Sequence, residues 1–343
     1  MTSPANTNLS TLGEFGLISR IASASKQGAG VITGIGDDAA ITALTPGMQL
    51  LTSTDMLLED VHFRRAWHDP YRLGRKSLAV NISDIAAMGG IPRWALLSLA
   101  IPAGLPLDFL DDFVRGFLTM SEEHGVSLVG GDTCASRSGV VISVTIMGEQ
   151  FPERILRRSG ARPGDDIWVT GTLGDAALGL KLLEKQLPLP EGEGRGEGER
   201  NFLISRLLDP TPRAAAGLAL AESALVTAMI DISDGLLSDF GHIAGQSHVG
   251  GLIRIAELPL SAPFRACSVH FPELRYDSAL TGGEDYELCF TASPANRKII
   301  SDCMKKCGIE ATAVGIVTSL SGVRAVHEDG SPYHTKMNGF KHF

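Results

Sequence analysis

Ser77-Leu78-Ala79-Val80-Asn81-Ile82-Ser83-Asp84-Ile85-Ala86-Ala87-Met88-Gly89-Gly90 is the stretch on which the reading of the chain turns. Leu78, Ile82, Ile85 and Ala86 recur at helical spacing, and two glycines close the segment. A single carboxylate, Asp84, sits inside this otherwise apolar run. An ionised Asp in a packed helix is costly unless a cation or a set of donors compensates it, and the nearest basic residues, Arg75 and Lys76, lie about two turns earlier. Asp84 therefore either lies on a solvated face, bonds a neighbouring amide, or holds a cation. Acidic clusters elsewhere in the chain bear on that choice.

The 343 residues, 44% hydrophobic and 20% charged, are enough for a sizeable core and favour two domains over one. A formal net charge of -9 disfavours nucleic acid and anionic membrane surfaces as partners, whereas clustered acids suit cations. The first residues, Met1 to Glu14, lack the basic-then-apolar pattern of a secretion signal, and no apolar run reaches the length of a membrane span, so a cytoplasmic protein is expected. Cys134, Cys267, Cys289, Cys303 and Cys307 form no CxxC pair, and neither a disulfide framework nor a zinc site is indicated.

Outward from Asp84, glycines and acids recur at element ends. Gly34-Ile35-Gly36-Asp37-Asp38-Ala39-Ala40 reads as a metal or phosphate-metal loop, or as an ordinary Gly-Asp turn before a strand. Leu50 to Leu57 reads as a strand ending in Ser53, Thr54 and Asp55, whose oxygens suit a hard divalent ion; a helix N-cap has the same composition. His62 follows within reach of that strand end. Trp94 to Ile101 and Val140 to Met147 read as strands, Pro106 to Glu123 as a helix, and Val126 to Thr133 as a strand running into Gly130, Gly131 and Asp132.

The second half repeats the theme. Arg154, Arg157 and Arg158 form a basic patch fit for phosphate or for an interdomain ion pair. Ile167 to Ala177 is strand, glycine turn and helix, a structural turn first and a nucleotide contact second; it lacks the Gly-Lys-Ser/Thr ending of a Walker A loop. Residues 188–200, rich in Gly, Glu and Pro, are expected to form a mobile insertion. Asp231 and Asp234, three apart, would face the same way on a helical turn and repel unless ions intervene. Gly282-Gly283-Glu284-Asp285-Tyr286-Glu287-Leu288 brings glycines, acids and a strand together once more.

Taken in order, Gly-Glu-Phe at 13–15, GIGDDAA at 34–40, STD at 53–55, His62, LAVNISDIAAMG at 78–89, GGDT at 130–133, RSGARPGD at 158–165, DISDGL at 231–236, GGEDYEL at 282–288 and the closing NGFKHF resemble the thiamine-monophosphate kinase family of the aminoimidazole-ribonucleotide-synthetase-like superfamily. The resemblance implies a mixed α/β (α+β) fold with an N-terminal domain over 1–150 and a C-terminal domain over 151–343. It also implies a homodimer whose N-terminal sheets pair into a β-barrel. The implied reaction is transfer of the ATP γ-phosphoryl group to thiamine monophosphate, assisted by several Mg2+ ions. Metal ligands then fall on Asp38, Ser53, Thr54, Asp55, Asp84, Asp132, Asp231 and Asp234, with Asp55, Asp84 and Asp132 as the catalytic residues. ATP contacts fall on Gly131, Asp132, Arg158 and Ser233, and substrate contacts on His62, Glu284 and Phe340. Met337 stands where the family pattern has an aromatic, and Gly90 replaces an alanine. Two alternatives are another ATP-dependent enzyme of the superfamily, of the aminoimidazole ribonucleotide synthetase or selenophosphate synthetase type, and a nucleotide-magnesium binding module without turnover.

Overall fold

The computed structural model describes residues 9–184, 197–269, 271 and 274–336. The chain divides into two units, Met1–Ile85 with Ile91–Phe151 and Ala86–Gly90 with Pro152–Phe343.

The first unit is built on a four-stranded sheet in the order β3 (Gln49–Leu58), β6 (Val141–Gln150), β4 (Ile91–Pro102), β5 (Ser127–Ser136), antiparallel except for the β4/β5 pair. A small ribbon of β1 (Val31–Thr33) and β2 (Ile41–Thr42) and a helix α1 (Leu9–Ala24), kinked at Gly13, precede it. Burial alternates along β4 and β6: Leu97, Leu99 and Ile101, and Ile142, Val144 and Ile146, face the core while their neighbours are partly exposed. Such alternation marks a sheet covered on one face. Helices α2 (Pro70–Ala87) and α3 (Leu107–His124) supply apolar residues to this core.

Helix α2 starts where chemistry dictates. Asp69 accepts a hydrogen bond from the Arg72 amide at 2.9 Å, and Pro70 takes the first helical position, where its missing N–H costs nothing. The helix ends at Gly89, whose φ of 67° places it in the left-handed region. Between these ends nearly every residue from Lys76 to Ala87 is buried. The buried Ser77 and Asn81 return their hydrogen bonds to carbonyls one turn back, Ser77 to Leu73 at 2.7 Å and Asn81 to Ser77 at 3.0 Å. Helix α2 meets α3 at backbone distance: a Cβ at Gly74 would fall 1.9 Å from the Phe113 carbonyl oxygen, and one at Gly116 1.9 Å from that of Tyr71.

In the second unit a seven-stranded sheet runs in the order β13 (Pro332–Tyr333), β12 (Gly322–Val326), β9 (Gly250–Arg254), β11 (Ala311–Thr318), β7 (Asp166–Thr170), β10 (Glu287–Ala292), β8 (Val226–Ile232), with only the β12/β9 pair parallel. Its central strands are buried on both faces, so burial is continuous along β7 and β10 rather than alternating, with Asp166, Thr170, Glu287 and Thr291 the polar residues buried among apolar ones. Ile167, Val169, Ile230 and Cys289 pack toward α4 (Asp175–Leu183), α5 (Glu197–Leu208), α7 (Leu236–Ser247), α8 (Ala262–Ser268) and α9 (Arg275–Thr281). Trp168, Met229, Leu288 and Phe290 pack toward α6 (Ala214–Ser223) and α10 (Arg297–Lys306).

The structure corrects three expectations. Ser53, Thr54 and Asp55 lie in the middle of β3, not at its end, because pairing with β6 continues without a break to Leu58. Asp231 belongs to β8, paired with Leu288, while Asp234 sits in the turn that follows, so no helical turn joins them. Residues 197–200 of the expected insertion open α5, where Glu197 and Glu199 suit the positive end of the helix dipole. The remainder of that segment, 188–196, lies outside the described residues, as do Met337 and Phe340. All five cysteines are free thiols.

The α2/α3 contact gives a direct test of the packing. Gly74→Ala places a methyl group against a backbone carbonyl that no rotamer change can move aside, and a loss of about 3 kcal/mol is expected in urea unfolding. Wild-type stability in that variant would contradict the close crossing.

Candidate active site

In the first unit the structure brings Ser53, Asp55 and Asp84 together. The odd-numbered residues of β3 face α2: Leu51 and Leu57 are buried, and between them stand Ser53 and Asp55. Ser53 Oγ donates to Asp84 Oδ2 at 2.5 Å. Burial first, and then the nearby negative charge of Asp84, push the Asp55 carboxyl from its ordinary 3.8 up to about 6. A carboxylate so placed is destabilising once ionised, and a cation between the pair would reverse the sign of that effect.

Thr54 lies on the other face, as strand alternation requires, where its hydroxyl donates to the Val144 carbonyl at 3.0 Å. Asp38 is exposed in the loop after β1, its amide bonded to the Asp37 carboxylate at 2.9 Å. Asp132 is exposed on β5, in register with Ser98, which is opposite Ser143, which is opposite Met56. It therefore occupies the edge opposite to β3, three strand spacings or roughly 14 Å away. Gly131 beside it fits only as glycine, since a Cβ would lie 1.8 Å from the Leu97 carbonyl oxygen. No group of three or more His, Cys, Asp or Glu side chains converges on one point among the described residues.

His62 follows β3 in a tight turn. Its Nδ1 accepts the Leu58 N–H at 3.1 Å, which puts the ring proton of the neutral form on Nε2 and makes that nitrogen a donor. The turn is held by Glu59, which accepts from the Val140 amide at 2.8 Å and from Arg65 at 2.5 Å.

In the second unit two turns lie side by side. Ser233, Asp234 and Gly235 follow β8, and Gly283 to Tyr286 precede β10; the Glu284 amide donates to the Ser233 carbonyl at 2.8 Å and the Tyr286 amide to Ile232 at 2.9 Å. Glu284 and Tyr286 have φ of 68° and 50°, left-handed conformations that non-glycine residues hold only under constraint. The constraint is visible. Asp239, in the first turn of α7, accepts hydrogen bonds on one oxygen from the amides of Ser233, Asp234 and Gly235 at 3.0 to 3.1 Å. Burial pushes its carboxyl up to about 7. Asp285, 1% exposed, accepts the Gly174 amide at 2.7 Å and so fills the N-terminus of α4. That helix end is therefore occupied by the chain's own carboxylate, and the glycine turn before it is structural. Glu287 completes the layer, bonded by Thr170, Arg206 and Arg213. Arg158, expected at the nucleotide, is exposed in the loop before β7. Sequence reasoning missed Asp239, Asp285 and Glu287 as site-building residues; the only signal was a carboxylate four residues after Gly235 and acids continuing into an apolar strand.

Residues 36–150 match the family AIR synthase related protein, N-terminal domain, and residues 162–328 match AIR synthase related protein, C-terminal domain. The chain is 39% identical over 334 residues to the thiamine-monophosphate kinase of Escherichia coli (strain K12), covering 96% of this chain and 98% of that protein. Among solved structures it is similar to thiamine-monophosphate kinase from Stenotrophomonas maltophilia K279a, with 38% identity, TM-score 0.82, and 94% and 98% of the two chains covered. It is also similar to AaThiL complexed with AMPPCP and TMP, with 35% identity, TM-score 0.75, and 99% and 100% covered. With both domain families matched and this identity sustained along its length, the chain belongs to the thiamine-monophosphate kinase family of AIR synthase related proteins.

Proposed function

We infer that the chain is a thiamine-monophosphate kinase, transferring the γ-phosphoryl group of ATP to the phosphate of thiamine monophosphate to give ADP and thiamine diphosphate, the last step in making that cofactor. The near full-length identity to the Escherichia coli kinase carries this reading. AMPPCP and TMP bound to AaThiL support the two substrates.

The acceptor is already a phosphate, largely deprotonated near neutral pH, so the enzyme needs neither a general base nor a covalent intermediate. The obstacle is repulsion between two anions that must come into line. Ser53, Asp55 and Asp84 form a hard-oxygen donor set with a like-charged pair at its centre, the chemistry that suits a divalent magnesium ion. Bound there, magnesium would neutralise phosphate oxygens during transfer. The Thr54 carbonyl, Asp38 and Asp132 in the first unit, and Asp231 and Asp234 in the second, are the further ligands. Gly131, Asp132, Arg158 and Ser233 hold ATP. His62 offers its Nε2–H to the substrate phosphate, Glu284 meets the cationic or amino groups of thiamine, and Phe340 stacks on one of its rings.

The protein acts as a homodimer in the cytoplasm, its first-unit sheets joined into a barrel. Leu50 and Met56, 49% and 53% exposed on the outward face of β3, support an apolar contact there. The sheet also ends in two open edges, β3 and β5, carrying Asp55 and Asp132. Joining the edges between copies would set Asp132 of one beside β3 of the other.

Three outcomes are expected. ADP release depends on thiamine monophosphate and not on free thiamine, and Asp84→Asn lowers kcat by roughly a hundred- to a thousandfold while melting as a folded protein; wild-type turnover in the variant would remove Asp84 from the mechanism. Because the Asp55 carboxyl titrates higher in the folded chain than in the unfolded one, it lowers stability as pH rises from about 4 to about 6 and remains destabilising above. Asp55→Asn accordingly raises the melting temperature of the metal-free protein at pH 8 by roughly 4 °C or more, loses that gain at pH 4, and no longer responds to magnesium; a lower melting temperature at pH 8 would contradict the like-charge pairing. Finally, mixing inactive Asp55→Asn and Asp132→Asn copies restores activity toward about a quarter of wild type if each site draws on both chains. No recovery after subunit exchange would refute the edge-to-edge dimer.

A further inference from the structure

Helices α1 and α3 leave a cavity of about 830 Å³ between them, at the end of the first unit where β5 begins. Leu17 and Ile21 are the buried residues of α1 among those described, and they form an apolar wall with Val114, Leu118 and Leu128. Further along, the two helices meet only through long side chains: Arg20 pairs with Asp111 at 2.6 Å and Lys26 with Glu122 at 2.7 Å. The volume is that of an ordinary small-molecule site, and none of the kinase chemistry above uses it.

Three hydroxyls on its walls are already engaged. Ser23 donates to the Ser19 carbonyl at 2.7 Å, Thr119 donates to the Arg115 carbonyl at 2.8 Å, and Ser127 accepts the Gly28 amide at 2.9 Å. Ser121 is different: it is 4% exposed, it lies on the cavity wall, and its Oγ has no hydrogen-bond partner among the described residues. A buried hydroxyl left unpaired is destabilising, and a ligand group beside it would remove that cost. The charge of the lining is also biased. Arg20, Lys26 and Arg115 stand against Asp111 and Glu122, a local positive excess in a chain whose formal net charge is -9. The ion pairs are well exposed, so each contributes little and is readily exchanged, and a guanidinium takes a ligand carboxylate as well as it takes Asp111.

We propose that this cavity binds an aromatic carboxylate with a hydroxyl group at the far end of its rings. The carboxylate meets Arg20 and Arg115, the rings lie on the apolar wall, and the hydroxyl pairs with Ser121 Oγ. Arg115 and Ser121 are six residues apart on α3, about 9 Å along its axis, a span that two fused rings with opposite substituents match. Leu128 and Asp132 lie four residues apart on β5, about 13 Å, so the site is separate from the residues assigned to phosphate transfer.

Titration calorimetry of the full-length protein with 6-hydroxy-2-naphthoate, and with 2-naphthoate as the analogue lacking the hydroxyl, tests the site. The expected result is saturable one-to-one binding, about tenfold tighter for the hydroxylated compound, with a rise of about 3 °C in melting temperature at saturation. Ser121→Ala loses that preference while binding 2-naphthoate as before, and without ligand it melts no lower than wild type, because the hydroxyl removed is unpaired. Arg20→Ala weakens both compounds about tenfold. Both affinities stay within about twofold when AMPPCP and thiamine monophosphate are present. Absence of saturable binding at millimolar concentration, the same preference in Ser121→Ala as in wild type, or displacement by either substrate overturns the proposal. None of these results bears on whether the chain transfers phosphate, so the kinase reading stands or falls separately.

Discussion

Two carboxylates that repel each other, Asp55 on β3 and Asp84 on α2, set the terms for the first unit. Neither is solvated well enough to ignore the other, and the hydrogen bond from Ser53 engages Asp84 without supplying positive charge. The divalent cation proposed above would offset this repulsion, since the hard-oxygen donors it prefers already stand together. The surrounding structure is correspondingly stiff. Helix α2 is buried almost all round, capped by Asp69 and Pro70, ended by Gly89, and pressed against α3 at Gly74 and Gly116. The backbone that carries Asp84 is thereby held in place by packing.

The second unit treats its carboxylates differently. Glu287 is neutralised by Arg206 and Arg213 and bonded by Thr170, so it is a structural ion cluster. Asp285 caps α4 through the Gly174 amide, and burial pushes it up to about 8. Asp239 gathers three amides of the turn after β8. These buried acids shape two turns, and those turns carry Ser233, Asp234 and Glu284, the residues proposed above to meet the ligands. The left-handed backbone at Glu284 is the local strain that such scaffolding sustains.

Much of this was legible in the sequence, and the reasons for the rest are physical. Apolar runs separated by glycine turns indicated a mixed α/β chain, its length favoured two domains and the family resemblance implied them, and the acids at 55, 84 and 231–234 stood out because each interrupted an apolar segment. What could not be read was position along the strand: Ser53-Thr54-Asp55 looked like an ending because hydroxyls and an acid usually stop a strand, whereas here the tertiary contact with α2 makes a half-buried polar patch tolerable in mid-strand. Asp231 and Asp234 matched a helical spacing by coincidence, since pairing with β10 overrides local period. The contributions of Gly74 and Gly116 depend on two helices crossing, and that of Asp239 on a turn closing around it; neither is encoded in any local window. The placement of Asp132 at the opposite sheet edge from Asp55 likewise emerges only once strand order is known.

Crystals soaked with manganese and a nonhydrolysable ATP analogue, measured at a wavelength where manganese scatters anomalously, address the pairing directly. An anomalous peak touching oxygens of both Asp55 and Asp84 is the expected result. Density that places metal only elsewhere, with these two carboxylates left facing each other, would contradict the role assigned to them.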